Sequence, residues 1–260
     1  MDGSTGLILA STREYLDEAA RTGLPLAHMI YKIGRGYRLF RAGGARRYPG
    51  GLMVLDISGY SGGGPLSNLI EEIYEECRDA GFTGAVLAPG AKVTQGQAAL
   101  ASRLARLWEE RGLGLVVPES LSESAPGAHV LIQTALSGGN LARHIERAVE
   151  KYGPEKVALE VERVWMDFAV PAKTGTGQVL SQEELDALLE AHRPRVHYSE
   201  ELAASYFIYR SRRRTHFVLF DNAATIRRKI VIARRFGVKA AFLFYPSVRD
   251  ILDEIKGPGV

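Results

Sequence analysis

The chain has 260 residues, 46% of them hydrophobic and 24% charged, with 28 Gly, 11 Pro and a net charge of +3. That balance excludes a disordered chain, a collagen-like repeat and a disulfide scaffold, and it is too even to announce a nucleic-acid partner. A single cysteine, Cys77, excludes an intrachain disulfide. Short apolar runs rich in β-branched residues alternate along the chain with segments of helical period. The first run is 6–10, followed by a helical pattern over 13–21. The second is 28–33; the basic, Gly-rich stretch after it includes 37–41, which either extends the strand or turns back as a hairpin. The third is 52–57, and behind it Leu66, Leu69, Ile70, Ile73, Tyr74 and Cys77 share one helix face. Residues 84–88 form the fourth. Leu100, Leu104, Leu107 and Trp108 stripe the next helix, which Gly112 ends. The fifth run, 113–117, stops at Pro118; the sixth is 129–134. Leu141, Ile145, Val149 and Tyr152 mark another helix before the seventh run, 156–161.

The rhythm then changes. Ser181 and Glu184 form an S-x-x-E capping box ahead of a helix carrying Leu185, Leu188 and Leu189. Two aromatic-rich runs, 206–209 and 216–220, flank a basic turn at 210–215, which predicts an antiparallel hairpin inserted at about 197–220. A helix over 223–236, an eighth strand at 239–245 and a short closing helix complete the chain. Eight buried strands alternating with helices predict one (β/α)8 TIM barrel domain over 1–260, with the hairpin between strands seven and eight. A doubly wound open sheet would want a Gly-rich phosphate turn. Neither Gly34 and Gly36 nor Gly62, Gly63 and Gly64 supply G-x-G-x-x-G or a P-loop.

An ordered series of residues resembles family 18 glycoside hydrolases, especially their spore-associated branch. Tyr206, Phe207 and Tyr209, then Phe220 and Asp221, then Ile226, Lys229 and Ile232, then Phe236, Gly237 and Val238 follow the order of that family's C-terminal part. Upstream, 157–168 resembles the seventh-strand segment with its Asp167-Phe168 pair. Leu26, Ala27, His28, Ile30 and Tyr31 resemble the second strand, and Asp56 to Tyr60 the third-strand motif. The series covers most of the chain.

The resemblance implies a site at the end of strand four, where the family carries D-x-x-D-x-D-x-E. The Glu there is the general acid, and the Asp two residues earlier orients the substrate N-acetyl group that acts as nucleophile. Positions two apart on a strand share a face, so these acids line the barrel interior. Here the frame is kept at Phe82, Gly84 and Leu87, but the four acidic positions fall on Thr83, Val86, Ala88 and Gly90. On strand six, Ala135 and Leu136 stand where the family has Tyr and Asp, and the strand-eight Trp falls at Phe244. With acid and orienting groups absent together, the family mechanism is not available.

The mouth of such a barrel holds its functional groups. The candidate ligand-binding residues are Asp56, Tyr60, Gln133, Glu160, Asp167, Phe244 and Tyr245. If the chain hydrolyses at all, the candidate displaced acids are Asp56, Glu119, Glu160 and Glu162, of which Glu160 and Glu162 share a strand face. The plainer reading makes them polar rim groups, one of them paired with Arg163 or Lys32. The six histidines, His28, His129, His144, His192, His197 and His216, form no ligand spacing, so no metal or cofactor is expected. Arg210, Arg212, Arg213 and Arg214 crowd the hairpin turn and offer an anionic or protein partner a contact, or simply form a solvated tip. The Gly-rich stretch 172–177 is expected to loop at the mouth.

The N-terminal stretch has no basic region and an apolar run of only about four residues, so it is not read as a signal peptide. No apolar run nears the roughly 18 residues of a membrane helix, and a cytoplasmic protein is expected. The resembled branch adds an expectation of spore association. Function is expected to be that of a chitinase-like barrel that binds an N-acetylglucosamine-containing or peptidoglycan-like glycan without hydrolysing it. The alternatives are an active glycosidase with displaced carboxylates and a protein-interaction scaffold.

Overall fold

The computed structural model describes residues 6–34, 37–171, 177–211 and 214–257. Eight parallel strands close a barrel: β1 (Gly6–Thr12), β2 (Leu26–Ile33), β4 (Leu52–Asp56), β5 (Gly84–Ala88), β6 (Gly114–Pro118), β7 (His129–Gln133), β8 (Val157–Val161) and β14 (Ala240–Phe244). Each pairs with the next in that order, and β14 returns to β1 to close the ring. A short β3 (Leu39–Arg41) runs antiparallel to the upper half of β2, so 37–41 contributes a hairpin rather than an extension.

The apolar runs are continuous because each strand is covered on both faces. Outward side chains pack with Leu69, Ile73, Leu100, Leu104 and Trp108 into the main core. These stripe α2 (Leu66–Asp79) and α3 (Gln95–Glu110), and each large side chain contributes about 1.5–3 kcal/mol by leaving water. Thr94 and Gln97 form a capping box at the start of α3, and the Gln97 amide also donates to the Ile57 carbonyl at 2.7 Å. Inward side chains form a separate, smaller cluster of Ala27, Val54, Val86, Val116, Ala158 and Phe242. Five of the six are small. Gly84 faces Gly114 so closely that an added methyl would run into the Gly114 carbonyl oxygen.

The expected helix is missing from two connections. Between β2 and β4 the chain makes β3, and between β6 and β7 it makes only a 3-10 turn, Glu119–Leu121. The other helices are α1 (Leu16–Ala20) after β1, α4 (Leu141–Tyr152) after β7, and α7 (Tyr245–Val248) and α8 (Leu252–Ile255) after β14. A register shift in β2 between His28 and Tyr31 changes which face its residues present. Beyond it Tyr31 is buried, donating to Glu76 at 2.8 Å, and Lys32 comes into register with Asp56.

The predicted hairpin is two strands of a larger insertion. β9 (Trp165–Val170), β10 (Gln178–Val179), β11 (His197–Ser199), β12 (Ala204–Ser211) and β13 (Arg214–Phe220) form an antiparallel sheet in the order β10-β9-β13-β12-β11. One face is covered by α5 (Gln182–His192) through Leu185, Phe207, Val218 and Phe220, with the predicted Ser181–Glu184 box capping the helix. Trp165–Val170 is not separated in the sequence because it follows β8 after only three residues, Glu162, Arg163 and Val164.

Two polar clamps fix the insertion to the barrel. Asp221, fully buried at the end of β13, accepts from Lys229 Nζ at 2.6 Å, Thr225 Oγ1 at 2.7 Å and the Val164 amide at 3.1 Å. Lys229 and Thr225 belong to α6 (Ala223–Arg235). Arg163 lies over the Trp165 ring and donates to Asp250 at 2.7 Å and to the Ser247 carbonyl at 2.9 Å.

Candidate functional site

Above the small interior side chains the barrel opens into a cavity of about 620 Å³ at the C-terminal ends of its strands. Its apolar part comes from Ala10, Met29, Val54, Val86, Ala88, Phe242 and Phe244. Its polar part is concentrated on β7 and β8, as Gln133, Glu160 and Glu162, with Ser120 on the rim. Gln133 and Glu160 are register partners on adjacent strands, and the Gln133 amide favours the ionised carboxylate. On the other side Glu160 is in register with Phe242. Burial raises the Glu160 carboxyl above its ordinary range, the neighbouring Glu162 charge adds to this, and the Gln133 bond opposes it.

The face alternation places the expected catalytic frame on this wall. Val86, Ala88 and Gly90 all line the cavity, so these are positions from which acids would reach a ligand. None can hold a proton. Glu160 and Glu162 are the only charged residues lining the mouth among those described, and they stand on β8 and just past its end. Neither pairs with Arg163 or Lys32: Arg163 is taken by Asp250, and Lys32 lines a separate polar depression with Tyr37, Asp56 and Ser58.

The other candidates separate. Asp56 accepts from the Ser58 amide at 2.9 Å and does not line the main cavity. Tyr60 is buried in the outer core, its ring edge-on to Tyr37, so it cannot meet a ligand in the mouth. Glu119 starts the 3-10 turn, and its neighbours Pro118 and Ser120 reach the cavity while it does not. Asp167 belongs to the α5-covered side of the inserted sheet, where it accepts from Tyr209 at 2.7 Å and contacts His216 at 3.0 Å. Tyr245 is buried and donates to Glu18 at 2.9 Å; burial and that bond raise its phenol to about 12. Phe244, one residue earlier and the last of β14, lines the mouth.

Beside the mouth, sharing Glu162 with it, a second crevice of about 270 Å³ runs between the β7–α4 loop and the insertion. Ala135, Leu136, Trp165, Met166 and Phe168 line it. Sequence reasoning missed this wall because β9 was not separated from β8. Arg210 and Arg214 are exposed at the β12–β13 turn; Arg212 and Arg213, like 172–176 of the Gly-rich stretch, lie outside the described residues. Among the described residues no group of three or more His, Cys, Asp or Glu could hold a metal ion, and no helix is long and apolar enough to cross a membrane.

A closed parallel barrel with an antiparallel sheet inserted after the seventh strand is a fold that this chain shares with solved chitinases and spore cortex-lytic enzymes, consistent with a family 18 glycoside hydrolase-like fold. The spore cortex-lytic enzyme SleL of Bacillus megaterium QM B1551 superposes with a TM-score of 0.67 at 15% identity, over 97% of this chain and 74% of that one. A chitinase from Chromobacterium violaceum ATCC 12472 gives 0.67 at 14% identity, over 93% of this chain and 94% of the other. A class V chitinase from Nicotiana tobaccum, solved in complex with NAG4, gives 0.67 at 11% identity, over 98% and 99%. By sequence, no family model and no curated protein matches the chain.

Proposed function

We propose that this chain is a chitinase-like barrel that binds an amino-sugar glycan, N-acetylglucosamine-containing or peptidoglycan-like, in its mouth and does not cleave it by the substrate-assisted route. The observation that carries this reading is the contrast between an intact mouth and the residues standing at its strand-four positions. The cavity is wide enough for a pyranose ring, with Phe244 offering an aromatic face and Gln133 and Glu160 offering hydrogen bonds to hydroxyls. Val86, Ala88 and Gly90 supply neither a proton for the leaving oxygen nor a carboxylate to orient an N-acetyl group. The solved neighbours support the choice of ligand class, since one is held in complex with NAG4 and another is a spore cortex-lytic enzyme. The spore cortex-lytic neighbour supports a spore-related setting.

The test is calorimetric titration with N-acetylglucosamine oligomers and peptidoglycan fragments, with reducing ends assayed on the same samples. Saturable binding without new reducing ends is expected. Turnover abolished by Glu160→Gln would overturn the non-catalytic reading and make the β8 carboxylates a displaced acid pair.

A further inference from the structure

We propose that the mouth selects amino sugars whose 2-amino group is free and protonated over their N-acetylated and anionic counterparts. This deepens the glycan reading and rests on it. Of the 18 described residues lining the cavity, the charged ones are Glu160 and Glu162, and Lys, Arg and His are absent among them. Gln133 from β7, Phe242 and Phe244 from β14, and Glu162 from the end of β8 surround Glu160; Glu162 is the one ionisable group among them. The nearest cation in sequence, Arg163, has a side chain only 6% exposed and committed to Asp250. Among the described residues, a partly buried Glu160 and an exposed Glu162 thus share the cavity wall without a counter-ion, and burial with like-charge repulsion holds the Glu160 carboxyl up.

An ammonium group on the ligand supplies the missing countercharge and donates charge-assisted hydrogen bonds to both acids. An N-acetyl group brings no charge, and a lactyl or phosphate substituent brings the wrong one. The whole chain carries +3, so a non-specific surface effect would favour anions. A preference for the cation therefore reports the mouth. The ionised carboxylates hold the cation best, so affinity for it falls as acid protonates them.

The experiment titrates glucosamine and N-acetylglucosamine tetramers into the full chain and into the Glu160→Gln/Glu162→Gln double variant at matched salt and pH. The glucosamine tetramer is expected to bind at least about tenfold tighter to the unaltered chain, the scale of a charge-assisted hydrogen bond. The ratio between tetramers should fall to about one in the double variant. Should that variant fail to fold, Glu162→Gln alone, at an exposed position, is expected to narrow the ratio. Equal or tighter binding of the N-acetylated tetramer overturns the selectivity and leaves the glycan reading standing. A preference that survives the double substitution also overturns it, because the cation then sits elsewhere. Failure of both tetramers to bind overturns the glycan reading and this inference with it.

Discussion

The two walls of the mouth differ in what they can do with a ligand. On β5 and just past its end, Val86, Ala88 and Gly90 present small apolar surface to the mouth. Across the cavity, Gln133, Glu160 and Glu162 present hydrogen-bonding groups and charge. The barrel thus has an open mouth with one wall that offers no proton donor. Its strands are held by outward packing, ladder hydrogen bonds and a small inward cluster, so a mouth wall without acids is compatible with the fold.

The largest expected effect lies behind the polar wall. Lys229→Met leaves Asp221 buried without its countercharge and is expected to cost about 3–5 kcal/mol in urea denaturation. On the other wall, Val86→Ala removes two methyl groups from the interior cluster and is expected to cost only about 1–2 kcal/mol. Equal losses at the two positions would break the contrast. Next comes ligand affinity: Phe244→Ala should weaken binding of an N-acetylglucosamine tetramer by roughly 2–10-fold, the range of one aromatic contact. Asp56→Asn, in the separate depression, should change it by less than about twofold, the scale of a contact outside the binding patch.

The pH dependence of stability gives the smallest and most discriminating pair. His28 is buried with its ring nitrogens engaged by the Leu52 carbonyl at 3.2 Å and the Tyr48 amide at 3.1 Å, and burial lowers its pKa. The folded chain thus resists protonating it. Its contribution is whole above the unfolded value of about 6.5 and is lost as pH falls below that. Glu160 has the opposite sign. Its raised pKa stabilises the fold below the unfolded carboxylate value, and that contribution is lost as pH rises through the folded one. Thermal melts across pH should show the acid-side loss removed by His28→Gln and the second loss removed by Glu160→Gln; unchanged profiles would contradict both assignments.

Much of the fold was legible from periodicity. The eight barrel strands, the Ser181–Glu184 cap and the pairing of Tyr206–Tyr209 with His216–Phe220 follow from alternation, capping chemistry and aromatic runs. The full insertion was not legible, because β10 and β11 are too short to carry a pattern and β9 merges with β8. Neither the Gly-rich connector after β2 nor the Ser-rich one after β6 carries a helical stripe in the sequence, and neither forms an α-helix. In the site, Gln133 and Glu160 are legible as polar groups at strand C-terminal ends and Phe244 through the resemblance, and all three line the cavity. Tyr60, Glu119 and Tyr245 do not, because they lie in loops or past a strand end, where a period of two no longer governs direction. Asp167 was misplaced for another reason: its strand belongs to the second sheet.

The most direct test is a crystal structure of the chain grown with an N-acetylglucosamine tetramer. The account predicts an intact oligomer in the mouth, with one ring over Phe244, hydroxyls bonded to Gln133 and Glu160, and Ala88 and Gly90 against its remaining side. A sugar bound only in the Asp56 depression or on the inserted sheet, or an oligomer cleaved in the mouth, would contradict it.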